Sequence, residues 1–167
     1  MKAWVITISD SGFAGERLDV SGPAVRQRLE ELGWTVESEL LPDDANLISS
    51  RLAELADSGH ADAIFTTGGT GVSQRDVTPE ATRVVLEREL PGFGEVMRAE
   101  GRKATRFAVL SRALAGTRGR TCIVNLPGSP KGAVESLNTI VELVPHVVDL
   151  VSGNTEHTGL PKLPSER

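Results

Sequence analysis

The stretch TTGGTGVSQRDVTPEA, Thr66 to Ala81, gathers Gly68, Gly69 and Gly71 with Thr70 and Ser73, and then places Arg75 and Asp76 ahead of a helix start. The glycines let backbone N–H groups approach an anion closely, the hydroxyls add donors, and the helix that follows adds its own N–H groups, a combination suited to phosphate. It matches neither common nucleotide loop. A Walker loop needs Gly-Lys-Ser/Thr where Val72 to Arg75 stand, and a dinucleotide loop needs a third glycine at Gln74. A tight strand-to-helix turn would use the same glycines, so Asp76 is what separates the two readings. Thr78, Pro79 and Glu80 already make a good helix start without it. A carboxylate beside phosphates repels them unless a cation lies between, and Mg²⁺ is commonly held by one or two carboxylates plus substrate phosphate oxygens. The Asp43 and Asp44 pair in LPDDAN offers the second acidic group, with helix capping as the competing role for Asp44.

Other reactive residue types are less specific. Lys131, Arg75 and Arg112 would neutralise further phosphate oxygens, and each also reads as a solvated surface cation. His60, His146 and His157 share no ligand spacing and have no Cys-rich context, which argues against structural zinc. Ser9 and Ser111 lack a His/Asp partner or a nucleophile elbow, which argues against serine hydrolysis. The single cysteine, Cys122, excludes an internal disulfide and reads as a buried strand thiol in TCIVNLPG.

Elements that would position these loops alternate along the chain. AWVITIS reads as a buried strand, and GPAVRQRLEELGW as a helix with Ala24, Val25, Leu29 and Leu32 on one face. TVESELLP alternates like a strand, and DANLISSRLAELADSG carries Leu47, Ile48, Leu52 and Leu55 at helical spacing before Gly59. ADAIFTTGG is the third strand, and TPEATRVVLERELPG reads as one helix ended by Pro91 and Gly92. FAVLSRALAGTRG fits strand or helix, TCIVNLPGSP is another strand, and GAVESLNTIVELVPHVVDLVSG is a long helix that Pro145 should kink or break. The pattern predicts an α/β fold: a three-layer, mostly parallel sheet with helices on both faces. Ligands then collect beyond the strand ends, in the loops after Ile8, Leu41, Thr67 and Leu126.

At 167 residues and 39% hydrophobic content, the chain suits one domain, expected over 1–153, with a loosely ordered tail over 154–167. No apolar run approaches the roughly 20 residues of a membrane span, and MKAWVITISDSG turns polar too early for a secretory signal, so a cytoplasmic protein is expected. A net charge of −5 argues against nucleic-acid binding while allowing a local basic pocket for a small anion.

Several segments together resemble one family. TTGGTGVSQRDVTPEAT, ELPGFGEVMR, FAVLSRALAGTRG and NLPGSPKGAVESL, in that order, with VITISDSG, DVSGPAV and LPDD before them, are similar to the molybdopterin-binding family that includes MogA, MoaB and domains of plant and animal molybdenum-cofactor proteins. The resemblance runs from about Ala3 to about Val151. It implies adenylylation of molybdopterin: the terminal phosphate of the pterin attacks the α-phosphorus of Mg·ATP, and pyrophosphate leaves. It implies that Asp43 and Asp76 are the essential, Mg²⁺-holding aspartates. It assigns Ser9, Asp10, Gly68, Gly69, Thr70 and Gly71 to the nucleotide, and Ser111, Arg112, Asn125, Pro127 and Gly128 to molybdopterin. Polar side chains that some relatives place near Gly101 are absent here. The resemblance further implies a homotrimer or hexamer and a molybdate-insertion protein as recipient of the product. Two other readings remain within it, a MoaB-type protein and a non-catalytic pterin-binding or assembly domain. A nucleotide pyrophosphatase on the related fold of competence-inducible proteins is a third alternative.

Overall fold

The computed structural model describes residues 1–154, so the expected tail lies, but for Asn154, outside the described residues. Six strands form one sheet in the order β2-β1-β3-β6-β5-β4. These are β1 (Lys2–Ile8), β2 (Thr35–Leu41), β3 (Ala63–Thr67), β4 (Arg88–Glu89), β5 (Ala115–Arg118) and β6 (Thr121–Leu126). β2, β1, β3 and β6 run parallel. β5 and β4 complete the sheet in antiparallel pairing.

Side-chain alternation along the central strands builds two cores. Val5, Phe65, Cys122, Val124 and Leu126 face a cluster completed by Val25 and Leu29 of α2 (Ser21–Glu31), Phe93 and Met97 of α5 (Pro91–Ala104), and Leu137 and Ile140 of α6 (Pro130–Ile140). Ile6, Ile8, Ile64 and Ile123 face the opposite cluster, with Ile48, Leu52 and Leu55 of α3 (Ala45–Asp57) and Ala81 of α4 (Thr78–Arg83). Strands covered on both faces must be apolar at every position, which is why VITI, AIFTT and TCIVNL carry continuous Val, Ile and Thr runs. Burial pushes the Cys122 thiol up to about 12, so it is an inert member of the first core.

The connection from β1 leads outward to β2 and then back across to β3 on the other side of β1. The crevice at which the winding reverses therefore opens between the ends of β1 and β3. Four parallel strands present the loops after Ile8, Leu41, Thr67 and Leu126 at this one edge, as expected from the alternation.

Several elements differ from the sequence expectation. The helix expected across TPEATRVVLERELPG stops at Arg83, and Arg88–Glu89 pairs with β5 as a short edge strand. Pro91 opens α5 rather than closing the preceding helix, consistent with a proline's place in a first helical turn. FAVLSRALAGTRG divides into a 3-10 turn over Arg106–Leu110 and strand β5. Leu32 and Leu47, expected on buried faces, are 39% and 52% exposed because each lies at the end of its helix. Pro145 acts as expected: α6 gives way to a 3-10 turn, and α7 (Val144–Val151) carries the proline in its first turn. Among the described residues no helix is long and apolar enough to cross a membrane.

Candidate active site

The two adjacent aspartates after β2 part company. Asp44 caps α3, its carboxylate accepting from the N–H groups of Asn46 and Leu47 at 2.9 and 3.0 Å. Asp43 turns instead toward the loop after β1. Its Oδ2 accepts from the Asp10 N–H at 2.9 Å, while the Asp43 N–H donates to Asp10 Oδ1 at 3.0 Å. Asp10 Oδ2 in turn accepts from Arg75 Nε at 2.8 Å and from Nη2 at 2.5 Å. The Arg75 guanidinium, helped by the Asp43 N–H, holds the Asp10 carboxyl below its ordinary value. Asp43 moves the other way: burial raises its carboxyl, and the Asp10 and Asp76 charges add to the rise, against the opposing Asp10 N–H and Arg75. Asp10 is paired with Arg75, while Asp43 is left facing the like charges of Asp10 and Asp76, a repulsion that a cation would relieve.

Asp76 closes the other side of this locus. Its Oδ2 accepts from the Ser73 N–H at 2.8 Å, tying down the turn over Ser73 to Asp76. Val77, not Thr78, holds the capping position of α4, and it contributes no side-chain bond. Thr78, expected to open the helix as a cap, instead buries a hydroxyl that has no partner among the described residues. Asp76 is therefore free of capping duty, as expected, though the helix start supplies no replacement cap.

Two glycines between the aspartates are required by geometry. Gly68 has φ of 95°, and a Cβ there would collide with the Ile8 carbonyl at the end of β1. Gly69 has φ of 61°, and a Cβ there would strike Thr78 Oγ1 and come within 3.1 Å of Asp43 Oδ1. At Gly71 a Cβ would lie 2.9 Å from Asp76 Oδ2. The bare loop thus lies against both carboxylates, Asp43 at Gly69 and Asp76 at Gly71. Among the described residues no group of three or more His, Cys, Asp or Glu side chains gathers to hold a metal ion. Two carboxylates with phosphate oxygens as the remaining ligands is the arrangement that suits Mg²⁺.

Two cavities meet at this edge. One, of about 360 Å³, is mostly apolar and is lined by Thr70, Gly71, Met97, Ser111, Pro127 and Gly128 among others. The other, of about 470 Å³, is lined by Ser9, Gly12, Arg17, Asp19, Gly68 and Gly128 among others. Gly128 belongs to both because the two loops touch: a Cβ on it would stand 3.2 Å from Gly68 Cα. Ser9 caps the short helix α1 (Asp10–Phe13) by accepting from the Gly12 N–H. Gly101 forms part of the first cavity's wall, where a Cβ would come within 2.9 Å of the Ala108 side chain, so no larger residue fits this packing.

The residues grouped with Ser111 by sequence are separated by the structure. Arg112 does not line either cavity; its Nε donates to the Gly71 carbonyl at 2.6 Å, its Nη2 to the Asp76 carbonyl at 2.5 Å, and its Nη1 pairs with Glu80. Asn125 also stays out of the cavities. It is fully buried in β6, and its Nδ2 donates to the hydroxyls of Thr66 and Thr82, both at 2.9 Å. The reason is strand alternation: Asn125 points to the α4 side of the sheet, away from α6. Lys131 is 82% exposed and pairs with Glu135 at 3.7 Å, which is the surface reading. Sequence reasoning missed Glu80, Arg98 and Asp19. Arg98 donates to the carbonyls of Ser111 and Ala113 and so holds that segment. The Asp19 carboxylate accepts from the Thr7 hydroxyl at 2.6 Å and the Gly22 N–H at 3.1 Å. Its three-residue spacing before Gly22 was the available signal for a turn cap.

Comparison with known proteins gives the chain a family. A family model described as a probable molybdopterin binding domain matches residues 4–146. A molybdopterin adenylyltransferase of Helicobacter pylori strain J99 is 40% identical over 153 residues, covering 90% of this chain and 87% of the relative. The structure of the molybdopterin biosynthesis enzyme MoaB from Thermus thermophilus superposes with a TM-score of 0.84 at 48% identity, over 91% of this chain and 96% of that one. The Mog protein of Mycobacterium ulcerans gives 0.84 at 36% identity, over 90% and 98%. With most of both sequences aligned and the six-stranded fold in common, the chain belongs to the molybdopterin-binding MogA/MoaB family.

Proposed function

We propose that the protein is a molybdopterin adenylyltransferase, transferring AMP from Mg·ATP to the terminal phosphate of molybdopterin. The observation that carries this reading is the placement of Asp43 against Gly69 and Asp76 against Gly71 of the bare loop, close enough that the Asp76 charge acts on Asp43, whose carboxyl is raised by burial and by its acidic neighbours. Curated relatives bearing that name at about 40% identity over most of the chain support it.

The chemistry asks little proton transfer of the protein. A phosphate oxygen of molybdopterin is already anionic; it forms a bond to the α-phosphorus of ATP as the bond to the bridging oxygen breaks and pyrophosphate carries that electron pair away. The work is alignment of two polyanions and neutralisation of charge. Gly68 to Gly71 and Thr70 present backbone and hydroxyl donors to nucleotide phosphates, with Ser9 and Asp10 on the facing loop. Asp43 and Asp76 would hold Mg²⁺, which when bound neutralises phosphate oxygens and stabilises the departing pyrophosphate. Asp10 orients Asp43 through their reciprocal backbone bonds. The pterin takes the apolar cavity beside Ser111, Pro127 and Gly128, where a flat ring meets Met97 and the 3-10 turn. The enzyme works in the cytoplasm as a homotrimer or hexamer and hands its product to a molybdate-insertion protein. Exposed Phe107, Val109 and Leu110 on one 3-10 turn are the kind of apolar surface that a subunit contact covers.

Incubation with molybdopterin, ATP and Mg²⁺ followed by mass analysis tests the reading. Adenylylated molybdopterin is expected, and its absence while both ligands bind would leave a binding or assembly protein instead.

A further inference from the structure

The chain is extended at Ser111, with φ −67° and ψ 124°. Successive side chains on such a segment point to opposite sides. Ser111 and Ala113 line the 360 Å³ cavity, whereas Arg112 turns under the glycine loop. There its contacts form a clamp. The Arg112 N–H donates to the Thr70 carbonyl at 2.9 Å, and the guanidinium takes the Gly71 and Asp76 carbonyls at 2.6 and 2.5 Å. Its third arm pairs with Glu80 on α4. One side chain therefore holds both ends of the turn that runs from Gly71 to Asp76, while Val72 to Arg75 between them are exposed. A planar guanidinium does this with donors in a fixed fork, which a lysine ammonium does not reproduce.

We propose that Arg112 is a positioning residue for the nucleotide loop rather than a molybdopterin ligand: by gripping the Gly71 and Asp76 carbonyls it sets where Asp76 stands, and through Ser111 it joins that loop to the wall of the pterin cavity. The proposal rests on the reading of the site as one that takes Mg·ATP and molybdopterin. Because one short segment serves both subsites, filling either one stiffens the other, and the two ligands bind with reciprocal positive coupling.

The test compares wild type, Arg112→Lys and Glu80→Gln. Mg·ATP binding is titrated calorimetrically without the pterin, molybdopterin binding without ATP, each again with the other ligand present, and melting is recorded for all three proteins. Arg112→Lys should weaken Mg·ATP binding about tenfold or more, the loss of charge-assisted bonds, while molybdopterin affinity stays within about twofold and the coupling between ligands disappears. Glu80→Gln, which keeps the fold of the loop and loosens one anchor, should move Mg·ATP affinity in the same direction by less. Weaker pterin binding with Mg·ATP affinity unchanged would make Arg112 a ligand and overturn the proposal. Lower melting temperatures with both affinities and their coupling intact would reduce it to a brace and also overturn it. If Arg112→Lys does not fold, Glu80→Gln decides alone by the same criteria. Failure of the wild type to bind Mg·ATP would instead bring down the reading of the site, and the proposal with it.

Discussion

Asp43 and Asp44 are adjacent in sequence and opposite in duty. Sequence alone left both eligible because each precedes a helix and each is acidic; the division depends on backbone direction, which turns Asp44 onto the N–H groups of α3 and Asp43 onto Asp10. Asp44→Ala should therefore cost about 1 kcal/mol of stability as a lost cap and leave transfer activity intact, checked by denaturant unfolding and by assay. Asp43→Asn should do the reverse. Its carboxyl is raised in the folded protein, so between the ordinary carboxylate range and that raised value the native state holds more protons than the unfolded one, and stability falls as pH rises through the window. At neutral pH the charged form is the destabilised one. Asp43→Asn should then melt at the same or a higher temperature than wild type while losing on the order of a hundredfold or more in Mg²⁺-dependent rate. Thr78 carries a related expectation: Thr78→Val removes a buried hydroxyl without a partner among the described residues and should raise stability by about 1 kcal/mol, read from urea unfolding.

At the scale of elements, the central strands and α2, α3 and α6 were legible because each is long and apolar at a single period. The region from Val84 to Leu114 was not. Its pieces are short, so an edge strand of two residues and a 3-10 turn carry too few side chains to show a period. Pro91 compounded this, since a proline ends one helix or begins the next with equal local logic, and only pairing of Arg88–Glu89 with β5 decides between them. The glycine loop was legible as a loop, and Asp76 as its acid. Its internal bracing was hidden, because Arg112 and Glu80 lie 32 residues apart. Gly68 shows how tightly the loop is seated against β1. Gly68→Ala forces an L residue to positive φ and its methyl into the Ile8 carbonyl, so it should cost more than the roughly 1 kcal/mol typical of such a backbone conflict alone and weaken nucleotide binding with it. Melting and Mg·ATP titration of that variant check both.

Across the whole molecule, the order of the strands brings four loops to one edge, and from this the site follows. The chain is acidic overall, and at this edge the charges of Asp10 and Asp76 act on Asp43. The family match spans residues 4–146, and the apolar cavity and the Asp10–Asp43 pair both lie at this edge of the sheet. Sedimentation should find a trimer or a hexamer, and a charged substitution such as Phe107→Glu should dissociate it if the exposed 3-10 turn is the contact; a wild-type monomer would contradict the expected assembly. Adenylyl transfer to molybdopterin is read out as pyrophosphate release from Mg·ATP, measured with and without molybdopterin, for wild type and Asp76→Asn side by side. Release should require molybdopterin and should be lost in Asp76→Asn without loss of folding. Release by the wild type in the absence of molybdopterin, or undiminished release by Asp76→Asn, would rule out transfer to molybdopterin at this site.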